Sequence, residues 1–264
     1  MVETVQSADG TTIAFERTGT GPAVILIGGA LSTRQGASGL AELLSPHFTV
    51  YMWDRRGRGD SSDTRPYSVQ REIEDLGALV AAARQPCFVY GHSSGGALAL
   101  EAAQQGLPVA GLAAYEPPYM VEGEPDDDFN GLVSRAVDEG RPEEALALFI
   151  GNAMPGSLDD MKQSPFWQSL VQLAPTLPYD LAIVRDGSIP VGRFAAIDTP
   201  TLVLVGGTSP SWAGAAAEAI VASVPGAVRR TVEGQDHRAA NEAVAPILIQ
   251  FFGALQPATA SGQE

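Results

Sequence analysis

Gly91-His92-Ser93-Ser94-Gly95 sets a serine at the centre of a G-x-S-x-G run. It comes directly after the apolar stretch 87–90 and directly before a helical pattern over 96–105. A strand-to-helix turn this tight strains its central residue, so the neighbours must be small, and Gly91, Gly95 and Gly96 are. The Ser93 hydroxyl then stands above the carboxyl end of a strand, at a helix N-terminus whose amides favour negative charge. A glycine-rich strand–helix turn without chemistry has the same outline, so the run needs partners. A free serine hydroxyl is a weak nucleophile at neutral pH and requires a base. The chain offers three histidines for that role, His47, His92 and His237.

The elements around this turn follow from the apolar pattern. Residues 2–7 and 11–17 alternate apolar with polar around Asp9-Gly10, which predicts an antiparallel hairpin. Runs at 23–27, 48–53, 87–90, 109–115 and 201–205 are apolar without alternation, as in strands buried on both faces of a parallel sheet. Helical patterns fall between them at 39–44, 68–83, 96–105, 212–224 and 243–255. Repeated strand then helix predicts a doubly wound α/β sheet. From 121 to 192 no strand is legible. Phe129, Leu132, Val133 and Ala136, and again Leu146, Phe149, Ile150 and Ala153, follow the i, i+3, i+4, i+7 spacing of an amphipathic helix. Asp126-Asp127-Asp128 reads as solvated charge at a helix start rather than a metal site. The expected organisation is a core of 1–120 and 193–256, a helical cap at 121–192, and a flexible polar tail at 257–264.

Composition removes several chemistries. Lys and Arg number 16 against 31 Asp and Glu, a net charge of −15, which disfavours phosphate backbones and anionic membranes. The single cysteine, Cys87, excludes an internal disulfide, and the histidines lack metal-ligand spacing. A pyridoxal Schiff base would rest on Lys162 alone. The expectation is a chain without cofactor or metal, acting on a small molecule. Neither nucleic acid nor membrane is expected as partner, and a homodimer is left open. Met1-Val2-Glu3-Thr4 has none of the basic and apolar character of a signal peptide, so a cytoplasmic location is expected.

With these features in place, the chain resembles the α/β-hydrolase family over nearly its whole length. Besides the serine elbow, Asp54-Arg55-Arg56-Gly57-Arg58-Gly59-Asp60-Ser61 looks like that family's D-x-R-G-x-G-x-S turn. Gly28-Gly29-Ala30 looks like its oxyanion turn, and Gly234-Gln235-Asp236-His237 like the loop carrying its histidine. The resemblance implies a mostly parallel eight-stranded sheet with helices on both faces and a cap inserted after the sixth strand. Elimination and the family's order of serine, acid and histidine make His237 the base: His92 sits in the elbow itself, and His47 precedes a strand at the opposite end of the sheet. The backbone N–H groups of Ala30 and Ser94 would form the oxyanion hole. Gly28 stands where many relatives carry a histidine that braces this loop.

The acid departs from the family pattern. Ser209 occupies the place after the seventh strand where most relatives have aspartate. A second arrangement within the family puts the acid at the end of the sixth strand, and Tyr115-Glu116-Pro117-Pro118 lies there. Glu116 is the expected acid; a structural glutamate paired beneath the cap is the alternative. Arginines of 54–61 read as a structural turn rather than an anion site. Tyr119, Phe166, Trp167 and Trp212 are the candidates to line a substrate pocket, with cap packing as their alternative. Met120 belongs with these candidates. The expected activity is serine hydrolysis of a small, mainly apolar ester or lactone. Lyase, carbon–carbon hydrolase, cyclase and perhydrolase chemistry on the same elbow, and a non-catalytic binding protein, compete with it.

Overall fold

The computed structural model describes residues 1–121, 127–185 and 187–256. Asp126 and the tail at 257–264 lie outside the described residues. Eight strands form one sheet: β1 (Glu3–Gln6), β2 (Thr12–Thr18), β3 (Ala23–Ile27), β4 (Thr49–Trp53), β5 (Cys87–His92), β6 (Gly111–Tyr115), β7 (Thr201–Gly206) and β8 (Val228–Val232). Their spatial order is β1-β2-β4-β3-β5-β6-β7-β8. The hairpin β1–β2 and its junction with β4 are antiparallel, and every later pairing is parallel.

The unalternating runs have a plain cause. Each central strand feeds two cores, one residue to each in turn. Ile25, Ile27, Val89, Val203 and Val205 face one side, where α2 (Val69–Ala83), α3 (Ser94–Gln104) and α10 (Ser211–Ser223) pack. Val24, Leu26, Phe88, Tyr90, Leu202 and Leu204 face the other, against α1 (Ser38–Leu44) and α11 (Asn241–Ala254). Strand β8 escapes the apolar pattern because it is an edge: Val228, Arg229 and Arg230 are exposed and only Val232 is buried.

Between β6 and β7 the chain is helical: α4 (Asp127–Asp138), α5 (Pro142–Ala153), α6 (Leu158–Gln163), α7 (Trp167–Leu173), α8 (Leu177–Val184) and α9 (Val191–Phe194). This insert has its own apolar centre, built on Val133, Ala136, Leu146, Ile150, Trp167 and Leu177. Two of the expected stripe residues fall outside it, since Leu132 and Ala153 are exposed. Ala30 and Leu31, in the loop after β3, pack against that centre. The insert is therefore seated on the carboxyl end of the sheet. Tyr67 stacks on Tyr179 of α8 with ring centroids 3.8 Å apart, and Arg193 of α9 grips Glu101 of α3 through two bonds of 2.6 and 2.8 Å.

The parallel strands converge on the site by backbone contact. A Cβ on Gly95 would meet the Ile27 carbonyl oxygen at 2.3 Å, and one on Gly91 would meet the Gly95 oxygen at 2.3 Å. Only glycine lets α3 begin against the end of β3. Gly95→Ala is expected to cost about 2–3 kcal/mol in denaturant unfolding, because backbone has to move. Gly77→Ala, in the open middle of α2 with only Leu107 at 3.7 Å, should instead add about 0.5–1 kcal/mol. Equal effects at the two positions would refute this account of the elbow.

Candidate active site

Loops from five strands meet at one edge of the sheet, and hydrogen bonds fix their register. Ser93 N–H donates to the Tyr115 carbonyl at 2.8 Å, and Glu116 N–H to that of Leu204 at 3.0 Å. Gly207 N–H donates to the Val232 carbonyl at 2.9 Å. The residues just past β5, β6 and β7 are thus brought side by side. Among the described residues five non-glycines have positive φ, and three of them, Leu31 (58°), Ser93 (54°) and Glu116 (43°), lie in these loops. Backbone strain of this kind persists only where surrounding structure enforces it, and it concentrates at functional sites.

Ser93 caps α3 with φ 54° and ψ −125°, the strained turn that its glycine neighbours anticipate. Gly29 lies against it: a Cβ there would sit 3.0 Å from the Ser93 Cβ. The oxyanion candidates Ala30 and Ser94 flank this contact, one in the loop after β3 and the other opening α3.

Glu116, the expected acid, lies against His237, the expected base. Its carboxylate is 1% exposed, and its Oε2 lies 2.7 Å from His237 Nδ1. The Gly206 amide and the Ser209 hydroxyl donate to the other oxygen, Oε1, at 2.7 and 2.5 Å. Burial alone would raise this carboxyl's pKa. The bonds from His237, Ser209 and Gly206 outweigh burial and hold it below the ordinary carboxylate value. An ionised carboxylate only accepts, so Nδ1 carries the proton and Nε2 is left as the basic nitrogen. Ser209, in the place where most relatives carry aspartate, donates its hydroxyl proton to Glu116. Among the described residues its ion pair is with His237 rather than with a cation of the insert.

His92 has a function that its position in the elbow does not advertise. Its Nε2 lies 2.8 Å from the His237 carbonyl oxygen, and its ring stacks on Tyr115. A carbonyl only accepts, so Nε2 bears the proton. The Tyr115 hydroxyl donates to the Asp236 carbonyl at 2.6 Å, pinning the same loop one residue earlier. Asp236 itself turns its carboxylate to the Arg238 amide. His47 is exposed before β4, at the far end of the sheet.

The pocket candidates separate. Trp212, at the start of α10, has its ring 6.2 Å from that of His237. Trp167 is buried in the insert's centre and donates to Glu143 at 2.9 Å. Tyr119 is buried in the sheet-side core against Phe194, and Phe166 is 69% exposed. Trp167 and Tyr119 therefore serve packing. Met120 is 47% exposed and pairs with Ser188 through backbone.

Arginines 55, 56 and 58 are all buried and fully engaged. Arg56 pairs with Asp75 at 2.7 Å and Asp9 at 3.0 Å, and Arg34 pairs with Asp54 and Asp60. None is free for an external anion, as a structural turn requires. Among the described residues no three His, Cys, Asp or Glu side chains are grouped to hold a metal ion. No described helix is long and apolar enough to cross a membrane.

The sequence model of the Alpha/beta hydrolase family matches residues 24–247. The chain belongs to that family. An alpha/beta hydrolase from Sphaerobacter thermophilus is 48% identical, with TM-score 0.90 over 95% of this chain and 100% of the other. More distant structures share the fold. An esterase from Thermogutta terrifontis has 20% identity and TM-score 0.75, covering 97% of this chain and 100% of its own. A bromoperoxidase from Bacillus anthracis has 18% identity and TM-score 0.75, covering 96% and 100%. The hydrolase class of this member follows from the family.

The His92 bond carries a pH dependence. Burial, with His237 adding to it, pushes the His92 pKa down to about 4. The folded ring stays neutral to about pH 4, while an unfolded histidine takes a proton below ~6.5. Between those values the unfolded chain binds more protons, so stability falls as pH falls, by on the order of 1–3 kcal/mol across the window. His92→Gln keeps an N–H donor and removes the titration. Its melting temperature should fall less steeply from pH 6.5 to pH 4 than that of the parent; parallel curves would assign the window to other groups.

Proposed function

We propose that the protein is a cofactor-free serine hydrolase that cleaves a small, mainly apolar carboxylic ester or lactone through an acyl-enzyme on Ser93. The single observation that carries this reading is the pairing of His237 with the buried Glu116 carboxylate at 2.7 Å, in the same group of loops as the strained serine. His237 Nε2 takes the Ser93 proton as the hydroxyl oxygen bonds to the carbonyl carbon. The Ala30 and Ser94 amides hold the oxyanion. Collapse of the tetrahedral adduct breaks the ester bond, and the leaving alkoxide receives the proton from His237. Water, deprotonated by the same nitrogen, then attacks the acyl group and frees Ser93. Glu116 stays ionised throughout and stabilises the imidazolium.

The insert acts as a cap: it is seated on the oxyanion loop through Ala30 and Leu31, where it can exclude water from the reacting carbonyl. A binding protein without turnover has no need of a buried carboxylate held against the histidine, so the Glu116–His237 contact supports hydrolysis over that reading. Lyase and cyclase chemistry would use the same triad, and a panel of nitrophenyl esters of graded acyl length with several lactones separates them from hydrolysis.

A fluorophosphonate probe is expected to attach to Ser93. Ser93→Ala should abolish labelling and turnover, and His237→Ala should slow ester turnover by roughly 10⁴-fold or more. Labelling at Ser94, or persisting in the alanine variant, would overturn the assignment.

Glu116→Gln keeps the shape of the side chain and removes its charge. Its kcat should fall by roughly 10²–10⁴-fold with KM little changed. Ser209→Ala, which deletes one neutral donor to that carboxylate, should cost far less, about 10-fold or below. Comparable losses in the two variants would mean that the hydroxyl, and not the charge, supports the histidine.

A further inference from the structure

The Gly29–Ala30 peptide is gripped from its oxygen side. The Gly29 carbonyl accepts from Arg58 Nη1 at 2.7 Å and from the Ser32 hydroxyl at 2.6 Å. In a trans peptide the following N–H points opposite to the C=O, so whatever fixes Gly29 O also aims the Ala30 N–H. A cationic donor on that oxygen also draws electron density from the amide and strengthens its N–H as a donor.

Arg58 is in turn held by the insert. Its Nη2 donates to Asp180 Oδ2 at 2.6 Å and its Nε to Thr176 Oγ1 at 3.1 Å, both partners lying between β6 and β7. The other oxygen of Asp180 accepts from the Ser94 hydroxyl at 2.7 Å and from Arg55 Nη1 at 2.6 Å. Arg55 is closed from behind by Glu72 through bonds of 2.8 and 2.7 Å. One carboxylate on α8 thus touches Ser94 directly and reaches Ala30 through a single arginine. The cluster is buried, with two arginines balanced by two carboxylates.

We propose that Asp180 and Arg58 are positioning residues which orient and polarise the Ala30 oxyanion amide, so that seating of the insert completes the oxyanion hole. This rests on the serine-hydrolase reading for the identity of the hole. Gly28 offers the loop no side chain, and Arg58 braces it through the Gly29 carbonyl.

The test uses Asp180→Asn and the double variant Arg58→Gln/Asp180→Asn, which retains Arg55 with Glu72 as a balanced pair and so does not depend on an unpaired buried charge for folding. Two readouts are taken on the full chain. The first is the Ala30 amide in protein labelled with ¹⁵N-alanine. Its proton should move upfield and exchange faster in both variants. The second compares a nitrophenyl ester with its thiono counterpart, whose sulfur accepts hydrogen bonds poorly. The kcat for the oxygen ester should fall by roughly 10–100-fold with KM little changed, and the preference for oxygen over sulfur should shrink by a similar factor. An unmoved Ala30 amide, or equal slowing of both esters, would overturn the proposal. A shifted Ala30 amide in a protein whose parent cleaves no ester would uphold the link from insert to loop and overturn the hydrolase reading instead.

Discussion

Everything at this site hangs on the close approach of β5, α3 and β3. Ser93 holds φ 54° because the chain must leave a buried strand and enter a buried helix within one residue. Every residue from Ser94 to Ala103 of that helix is buried, so the elbow cannot relax outward without opening the core. The same approach brings Gly95 under the Ile27 carbonyl and Gly29 onto Ser93. Strain at Ser93 and proximity of the loop after β3 are therefore one constraint seen from two sides.

Glu116 shows how a parallel sheet can deliver a carboxylate to the histidine from a different strand. Strands β6 and β7 are adjacent and in register, with Tyr115 opposite Leu204. Residues just beyond them project into a common space, which is why Ser209 on one loop reaches Glu116 on the other. A carboxylate entering from either strand can meet a histidine arriving from beyond β8. What the β6 position demands is a bent entry, and Glu116 takes it at φ 43°. Two of its three hydrogen bonds come from the end of β7 and the loop that follows, so the neighbouring strand helps to position it.

Ser93, Glu116 and His237 were legible as candidates because Ser93 and Glu116 directly follow strands and His237 lies in the loop after the last one, where residue type and motif spacing carry the information. The two sheet faces were legible as well, since doubly buried strands lose their alternation. Strand β8 was not, because an exposed edge needs no apolar run. Aromatic candidates divided poorly: a Trp or Tyr reads alike whether it faces a pocket or a core, and Trp167 and Tyr119 went to cores. His92 was set aside as a base with reason, yet its bond to the His237 backbone spans 145 residues and no local pattern announces it. The same holds for Asp180, whose partners Arg55 and Arg58 lie 125 and 122 residues away.

That last contact bears on why the insert has a single seating. Buried ion pairs are weak stabilisers, because desolvation offsets most of their attraction, but breaking one by removing a partner costs about 3–5 kcal/mol. A cluster of this kind adds little to net stability while penalising every arrangement that leaves a charge unmatched. Both oxygens of Asp180 are satisfied only when α8 sits where Arg55, Arg58 and Ser94 converge. The apolar centre of the insert tolerates small shifts; the carboxylate does not. Hydrophobic burial thus holds the insert on the sheet, and the buried charges decide where it sits to within a hydrogen bond's length. That is the tolerance an oxyanion hole requires of the loop beneath it.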